Sequence, residues 1–299
     1  MYKLEGNKLN IYKDIDQNKR RSVYIILFFL IFTIGLLLIF SKALNWGNSI
    51  VIGGTIGALA YAVITYYSGA SMALAVNRAQ EVSKKDNPRL YRIVENIAIT
   101  DGLPNPKVYI MNDPAPNAFA TGRDPEHSFI CVTSGLLDMM NDKELEGVIA
   151  HEMSHIKNYD IRVNMIAFAL TVIISFVADI VIRSMWFGNE RENENNPYLF
   201  FIAIVAAILA PFVAMFIQLA ISRQREYLAD ASGALATRYP EGLASALEKI
   251  KNSSSATRVQ NTSTAHLFFA NPLRKHGITS LFETHPPIDE RIARLRKMD

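Results

Sequence analysis

His151 and His155 stand four residues apart, with Glu152 between them, in the run Glu144-Leu145-Glu146-Gly147-Val148-Ile149-Ala150-His151-Glu152-Met153-Ser154-His155-Ile156. On an α-helix this spacing puts both imidazoles on one face about one turn apart, where two nitrogens can hold one zinc ion. Glu152 then lies beside the open coordination position, placed to take a proton from water. The chemistry of such a trio is hydrolysis. Its surroundings read as helix: Asn141-Asp142-Lys143-Glu144 has the pattern of a capping box, and Leu145, Val148 and Ile149 form an apolar stripe. Two packed or surface histidines on an ordinary helix would satisfy the same pattern, so a third ligand has to be found.

The elements that must position these residues begin with the composition. The chain has 299 residues, 50% of them hydrophobic and 20% charged, with a mean hydropathy of +0.12. Length alone suggests about two domains, but the apolar residues gather in long runs that a water-soluble core does not need. Ser22 to Ser41 carries no charge and matches a bilayer span in length. A basic start before an apolar run also describes a cleaved signal peptide, but no small-residue cleavage site follows before Lys42 and Trp46. Residues 50–70 form a second span, whose Gly53, Gly54 and Gly57 allow close helix contact in lipid. Runs at 163–183 and 197–221 form a second pair; Asn164, Asp179 and Pro211 interrupt them, leaving open a shallow hairpin in place of two spans.

Between and after these runs the chain has soluble character. Pro88 to Asp101 reads as an amphipathic helix with Leu90, Ile93, Val94 and Ile97 on one side and Gly102 closing it. Lys107 to Met111, Asn117 to Thr121 and Ser128 to Thr133 read as short strands, separated by Asp113-Pro114-Ala115-Pro116 and Gly122-Arg123-Asp124-Pro125. A sheet edge next to the metal helix could bind an extended substrate through main-chain groups. The expected architecture is an α+β, mainly helical integral membrane protein. A tail at 1–21 precedes four transmembrane helices at 22–41, 50–70, 163–183 and 197–221. A zincin-like metalloprotease domain with a small β-sheet is split between 73–160 and 222–299.

Charge orients this arrangement. Lys3, Lys8, Lys13, Lys19, Arg20 and Arg21 precede the first run, Arg78, Lys84 and Lys85 follow the second, and Arg223 and Arg225 follow the fourth. A basic excess belongs on the cytoplasmic side, together with both termini and the metal helix. The net charge of +3, gathered at membrane flanks, points to anionic lipid, and no nucleic-acid motif accompanies it. Cys131 is the single cysteine, so no internal disulfide forms.

If the third and fourth runs double back, Ser222-Arg223-Gln224-Arg225-Glu226-Tyr227-Leu228-Ala229-Asp230-Ala231 emerges beside His155. Glu226 and His155 would each lie on the order of 10 Å from the apolar boundary. Two histidines and a carboxylate make a catalytic zinc set that leaves one position for water. Asp230, one turn beyond Glu226, is placed to accept a hydrogen bond from the far nitrogen of a ligand histidine. Read alone, the segment is equally a solvated, ion-paired helix end; paired with H-E-x-x-H, it favours the metal.

With these residues in place, the chain resembles the HtpX family of bacterial membrane zinc metalloproteases, kin to the CAAX prenyl proteases. The resemblance rests on His151-Glu152-Met153-Ser154-His155 and Glu226-Tyr227-Leu228-Ala229-Asp230. It extends to Pro116-Asn117-Ala118-Phe119-Ala120-Thr121-Gly122, Leu267-Phe268-Phe269-Ala270-Asn271-Pro272 and Thr284-His285-Pro286-Pro287. It implies a cytoplasm-facing endopeptidase of the bacterial plasma membrane acting in stress-related quality control of misfolded or damaged membrane proteins. It also implies one zinc ion on His151, His155 and Glu226, catalysis by Glu152, and substrate main chain held near Asn117 and Ala118. His285 either stabilises an oxyanion or caps the helix from Pro286. Lys251 to Thr264, rich in Ser, Thr and Asn, is either a lid or a linker. His127, His266 and His276 have no partner at metal spacing. An intramembrane protease would carry its motif inside an apolar span, whereas Asp138, Asp142, Lys143, Glu144 and Glu146 put this one in water. A membrane scaffold or transporter would need no paired zinc ligands.

Overall fold

A 29-residue helix, α1 (Asn48–Val76), exposes much of its apolar surface and buries Ala70, Ala73 and Leu74 near its end. Ile52, Ile56, Val63 and Ile64 are each more than half exposed. Its stretch Ile52–Val76 is, by length and composition, the one helix among the described residues able to cross a membrane, with a mean hydropathy of 1.4 over its most apolar window. The structure is a computed structural model that describes residues 19–20, 22–28, 30–31, 34–35, 38, 48–166, 168–169, 223–253, 267–270 and 286–298. The described parts of the expected first and third spans, within 22–38 and 163–169, are helical. The rest of those two spans, all of 197–221, His285 and residues 254–264 lie outside the described residues.

After α1 the chain enters strand β1 (Gln80–Glu81) and then helix α2 (Pro88–Asp101). Asn87 caps α2 by accepting from the Leu90 N–H, and Gly102 closes it at φ 66°, a left-handed position that glycine adopts without strain. Strands β2 (Lys107–Met111), β3 (Ala118–Asp124) and β4 (His127–Thr133) complete a mixed sheet of order β1-β2-β4-β3. β2 runs parallel to β4, β3 antiparallel to it, and β3 therefore forms one edge. The sequence marks Gly122-Arg123-Asp124-Pro125 as a break, but β3 continues to Asp124. An irregularity between Gly122 and Asp124 absorbs the bend, and the Asp124 carboxylate accepts from the His127 N–H at 2.8 Å to close the hairpin.

A short helix α3 (Ser134–Met139) leads into α4 (Asp142–Lys157), which starts on the capping box expected of Asn141 and Glu144. Helices α5 (Arg223–Thr237), α6 (Pro240–Asn252) and α7 (Ile288–Leu295) follow. α4 is central, packed by α5, α6, α2 and β3. Leu145, Val148, Ile149, Met153 and Ile156 from α4 join Leu90, Val94, Ile97, Leu243 and Leu247 in the main core. α6 sits so close that a Cβ on Gly147 would come 2.7 Å from the Leu243 nitrogen. The fold is therefore mainly helical with one small mixed sheet, and the H-E-x-x-H helix runs through its middle.

Candidate metal centre

Placing a carboxylate from α5 against two histidines on α4 requires close helix contact, and Gly233 supplies it. A Cβ there would lie 2.9 Å from the His151 backbone nitrogen, so the two helices touch at the level of His151. Asp230 and Glu226, one and two turns before Gly233, are thereby carried to the imidazoles.

One ligand atom from each of His151, His155 and Glu226 falls within 4.8 Å of the others, and all three residues are buried. The two histidine Nε2 atoms are 3.2 Å apart. Glu226 Oε1 is 3.5 Å from His155 Nε2, and Oε2 is 3.8 Å from His151 Nε2. Ligands about 2.0–2.1 Å from a tetrahedral zinc ion are separated by roughly 3.3 Å; the two Nε2 atoms have about that separation, and the Glu226 carboxylate stands close to it with one oxygen toward each ring.

The far sides of the rings share one design. His151 Nδ1 lies 3.0 Å from Asp230 Oδ1, and His155 Nδ1 lies 3.0 Å from Asp160 Oδ2. An ionised carboxylate only accepts, so both Nδ1 atoms carry a proton, and Nε2 is the nitrogen that each ring turns toward the centre. Each aspartate meets an arginine in turn. Arg291 donates to Asp230 through Nε at 2.8 Å and Nη2 at 2.7 Å, while Arg225 Nη1 reaches Asp160 Oδ1 at 3.3 Å. Burial opposes charge on Asp230, yet Arg291 and the His151 bond outweigh it and hold the carboxyl at about 2.

The two histidines feel this setting differently. Burial, with the Arg291 charge behind it, pulls His151 down to about 4 against the opposing bond to Asp230. Burial also opposes charge on His155, but Asp160, Glu226 and Glu152 outweigh it and push the metal-free imidazole up to about 9. Glu152, Glu226, Asp160 and Asp230 are four buried carboxylates against two buried guanidiniums, Arg225 and Arg291. With these six ionised and both imidazoles neutral, as metal binding requires, two negative charges remain that a divalent cation would cancel, and isolated buried charge of that size is costly. Donor chemistry, spacing and charge all fit zinc.

Glu152 points from the same helix face toward β3, where its Oε2 accepts from the Ala120 N–H at 2.7 Å. Asn117 and Ala118 lie at the start of β3, buried and beside the segment Leu267–Ala270. The structure therefore brings together His151, His155, Glu226, Glu152 and Asp230. Asp160, Arg225 and Arg291 are functional candidates that the sequence reading missed. Arg291 had a signal, because it falls on the apolar stripe Ile288, Ile292 and Leu295, where a solvated arginine does not belong. Asp160 follows His155 by five residues, after a turn in which Tyr159 takes φ 61°, so no helical periodicity marks it. His127 is held by Asp124 at 2.7 Å on the exposed hairpin, away from the metal triad.

Comparison with known proteins agrees with the geometry. The pattern of peptidase family M48 matches residues 84–299. A protease HtpX homolog of Tropheryma whipplei (strain Twist) is 46% identical, the match covering 96% of this chain and 98% of that one. A protease HtpX homolog of Dictyoglomus turgidum is 44% identical, with 96% and 94% covered. Among solved structures, the crystal structure of S. mikatae Ste24p matches with a TM-score of 0.50 at 18% identity, covering 96% of this chain and 67% of that one. At that identity the likeness concerns the fold.

Proposed function

The chain belongs to peptidase family M48 and is a metalloprotease, and on that premise we propose a zinc-dependent endopeptidase of the plasma membrane that cleaves misfolded or damaged proteins. The observation that carries the reading is the buried triad of His151, His155 and Glu226, with one ligand atom of each within 4.8 Å of the others and a surplus of carboxylates around it. In this reading the triad holds one zinc ion. Zinc there supplies Lewis acidity, lowering the pKa of a water and polarising a peptide carbonyl.

The chain's own residues do the rest. Asp230 and Asp160 hold the two Nδ1 protons, which fixes the rings and leaves Nε2 free to bind. Ala120 donates to one oxygen of Glu152 and so sets the carboxylate plane. Glu152 takes the water proton at a carboxylate oxygen and passes it to the nitrogen of the leaving amine. Asn117 and Ala118, at the β3 edge, hold the substrate main chain, so binding is tolerant of sequence.

Membrane anchorage through four helices, with both termini and the metal centre in the cytoplasm, completes the proposal. The outward apolar face of α1 and the basic residues flanking the apolar runs support it. Anionic lipid is the expected surface, and unfolded or membrane proteins are the expected substrates. The test is zinc content and proteolysis of casein by the detergent-solubilised full chain. Wild type should carry one zinc per chain and cleave; Glu226→Ala should lose both. Equal zinc in the two proteins would overturn the ligand set.

A further inference from the structure

β3 is the sheet edge nearest the metal triad, and its main-chain groups are already engaged. Thr133 N–H donates to the Asn117 carbonyl at 2.9 Å, so alternation along the antiparallel pair turns the N–H and C=O of Ala118 and Ala120 away from β4. On that outward side the Phe269 N–H donates to the Ala118 carbonyl at 2.8 Å. The Asn117 carboxamide pairs with Ala270 as a backbone strand would: Nδ2 donates to the Ala270 carbonyl at 2.7 Å, and Oδ1 accepts from the Ala270 N–H at 3.1 Å. Leu267–Ala270, a turn and bends and not a strand, is thus bonded to the β3 edge through one main-chain pair and the Asn117 carboxamide.

Its side chains occupy a defined seat. The Phe269 ring meets the His151 ring edge-on at 4.9 Å and lies under the Arg291 guanidinium at 4.8 Å. Phe268 turns to the other side of the segment and meets Phe119 at 5.0 Å. All three of Leu267, Phe268 and Phe269 are buried. A substrate strand bound through Asn117 and Ala118 needs the same carboxamide and the same carbonyl, and the carboxamide cannot pair fully with two backbones at once.

We propose that Leu267–Ala270 is an internal pseudosubstrate that leaves the β3 edge when an extended substrate adds there, and that the Phe269 seat is a side-chain subsite for a large aromatic or apolar residue. This rests on the proposed endopeptidase function and sharpens its substrate class. An unfolded segment with exposed aromatic residues displaces the strap, whereas a folded protein offers neither a free strand nor the ring. Resting protease is therefore self-occupied, and its accessible substrates are already unfolded.

The experiment uses the zinc-loaded full chain in detergent with Glu152→Gln to prevent turnover. Its probe is an extended decapeptide carrying one central Phe, compared with the same peptide carrying Asp there. Saturating Phe peptide should speed hydrogen exchange at the Phe269 and Ala270 amides by about tenfold or more, as expected when such bonds open, and leave the β4 amides unchanged. Adding Phe269→Ala to this chain should tighten binding of the Phe peptide several-fold. In the otherwise wild-type chain, Phe269→Ala should lower KM for casein more than it changes kcat. Unchanged or slower exchange at Phe269 with peptide bound would overturn the proposal and make the strap a permanent wall. So would unchanged or weaker binding of the Phe peptide after Phe269→Ala, or equal affinity for the two peptides. If wild type cleaves nothing, the enzymatic reading fails, but the exchange and affinity measurements still decide the occupancy of the edge.

Discussion

Helices α1 and α4 reverse each other's packing. α1 turns Ile52, Ile56, Leu59, Val63 and Ile64 outward, while α4 encloses Glu144, His151, Glu152, Ser154 and His155. In a water-soluble fold each arrangement would be costly, the first because apolar surface meets water and the second because polar groups leave it. Their coexistence in one chain shows two separate demands. α1 reports the solvent it was selected for, and α4 reports a chemistry that has to be shielded and charge-compensated.

The largest test of that contrast is Glu152→Gln, which keeps size and burial but removes the base. Casein cleavage should fall by on the order of 10³-fold, within the range for lost general base catalysis, with zinc content unchanged. A normal rate with full zinc would mean that the buried carboxylate serves packing alone. Arg291→Met comes next. It leaves Asp230 buried without its two guanidinium bonds, and loss of one partner of such a pair costs about 3–5 kcal/mol. Denaturant melts should record that loss. The double variant Arg291→Met with Asp230→Leu should regain much of the stability while zinc affinity stays about 10–100-fold weaker, because His151 has lost its orienting carboxylate.

At α1 the contrast is tested by Ile64→Lys, in the middle of the stretch Ile52–Val76. Ile64 is 57% exposed, so in water the change would be nearly neutral, within about 0.5 kcal/mol. In a bilayer core it costs about 2.5–3.5 kcal/mol. The fraction of protein retained in carbonate-washed membranes should drop. Full retention with unchanged stability would place this face in water.

How far the sequence led depends on which forces were local. α2 from Pro88 to Asp101, β2 from Lys107 to Met111 and the Asn141–Glu144 cap follow from caps, turn residues and periodicity within a few positions, and the structure has them. The meeting of Glu226 with His151 and His155 was readable because two apolar runs imply a return of the chain to the same level. Asp160 and Arg225 were not readable in this way, and Arg291 showed only its place on an apolar stripe, not its partner. Their partners lie on other elements, and a charged residue that neutralises a buried group looks in sequence like one that faces solvent. Use of the β3 edge by Leu267–Ala270 was hidden for a similar reason, since the Asn117 carboxamide and the Ala118 carbonyl that hold the segment carry no sign in sequence of a partner about 150 residues away.

α4 also contains the contrast within itself, and its first turn gives the smallest and cleanest test. Glu144 is buried like Glu152, but its partners are those of a structural joint. It accepts from the Asn141 N–H at 2.9 Å, from Lys249 Nζ at 2.6 Å and from the Ser245 hydroxyl at 2.8 Å. Burial opposes its charge, yet these donors outweigh it and hold the carboxyl below its ordinary 4.5. A carboxyl lowered by folding adds stability above its unfolded pKa and loses it as pH falls through the folded value. Glu144→Gln should therefore cost about 1 kcal/mol at neutral pH, leave zinc content and kcat unchanged, and differ less and less from wild type as melts are repeated below pH 4.5. A gap that persists undiminished into acid would mean that shape, not charge, joins α4 to α6. A fall in kcat would mean that the two ends of α4 are coupled, and the division between its structural first turn and its catalytic third would have to be given up.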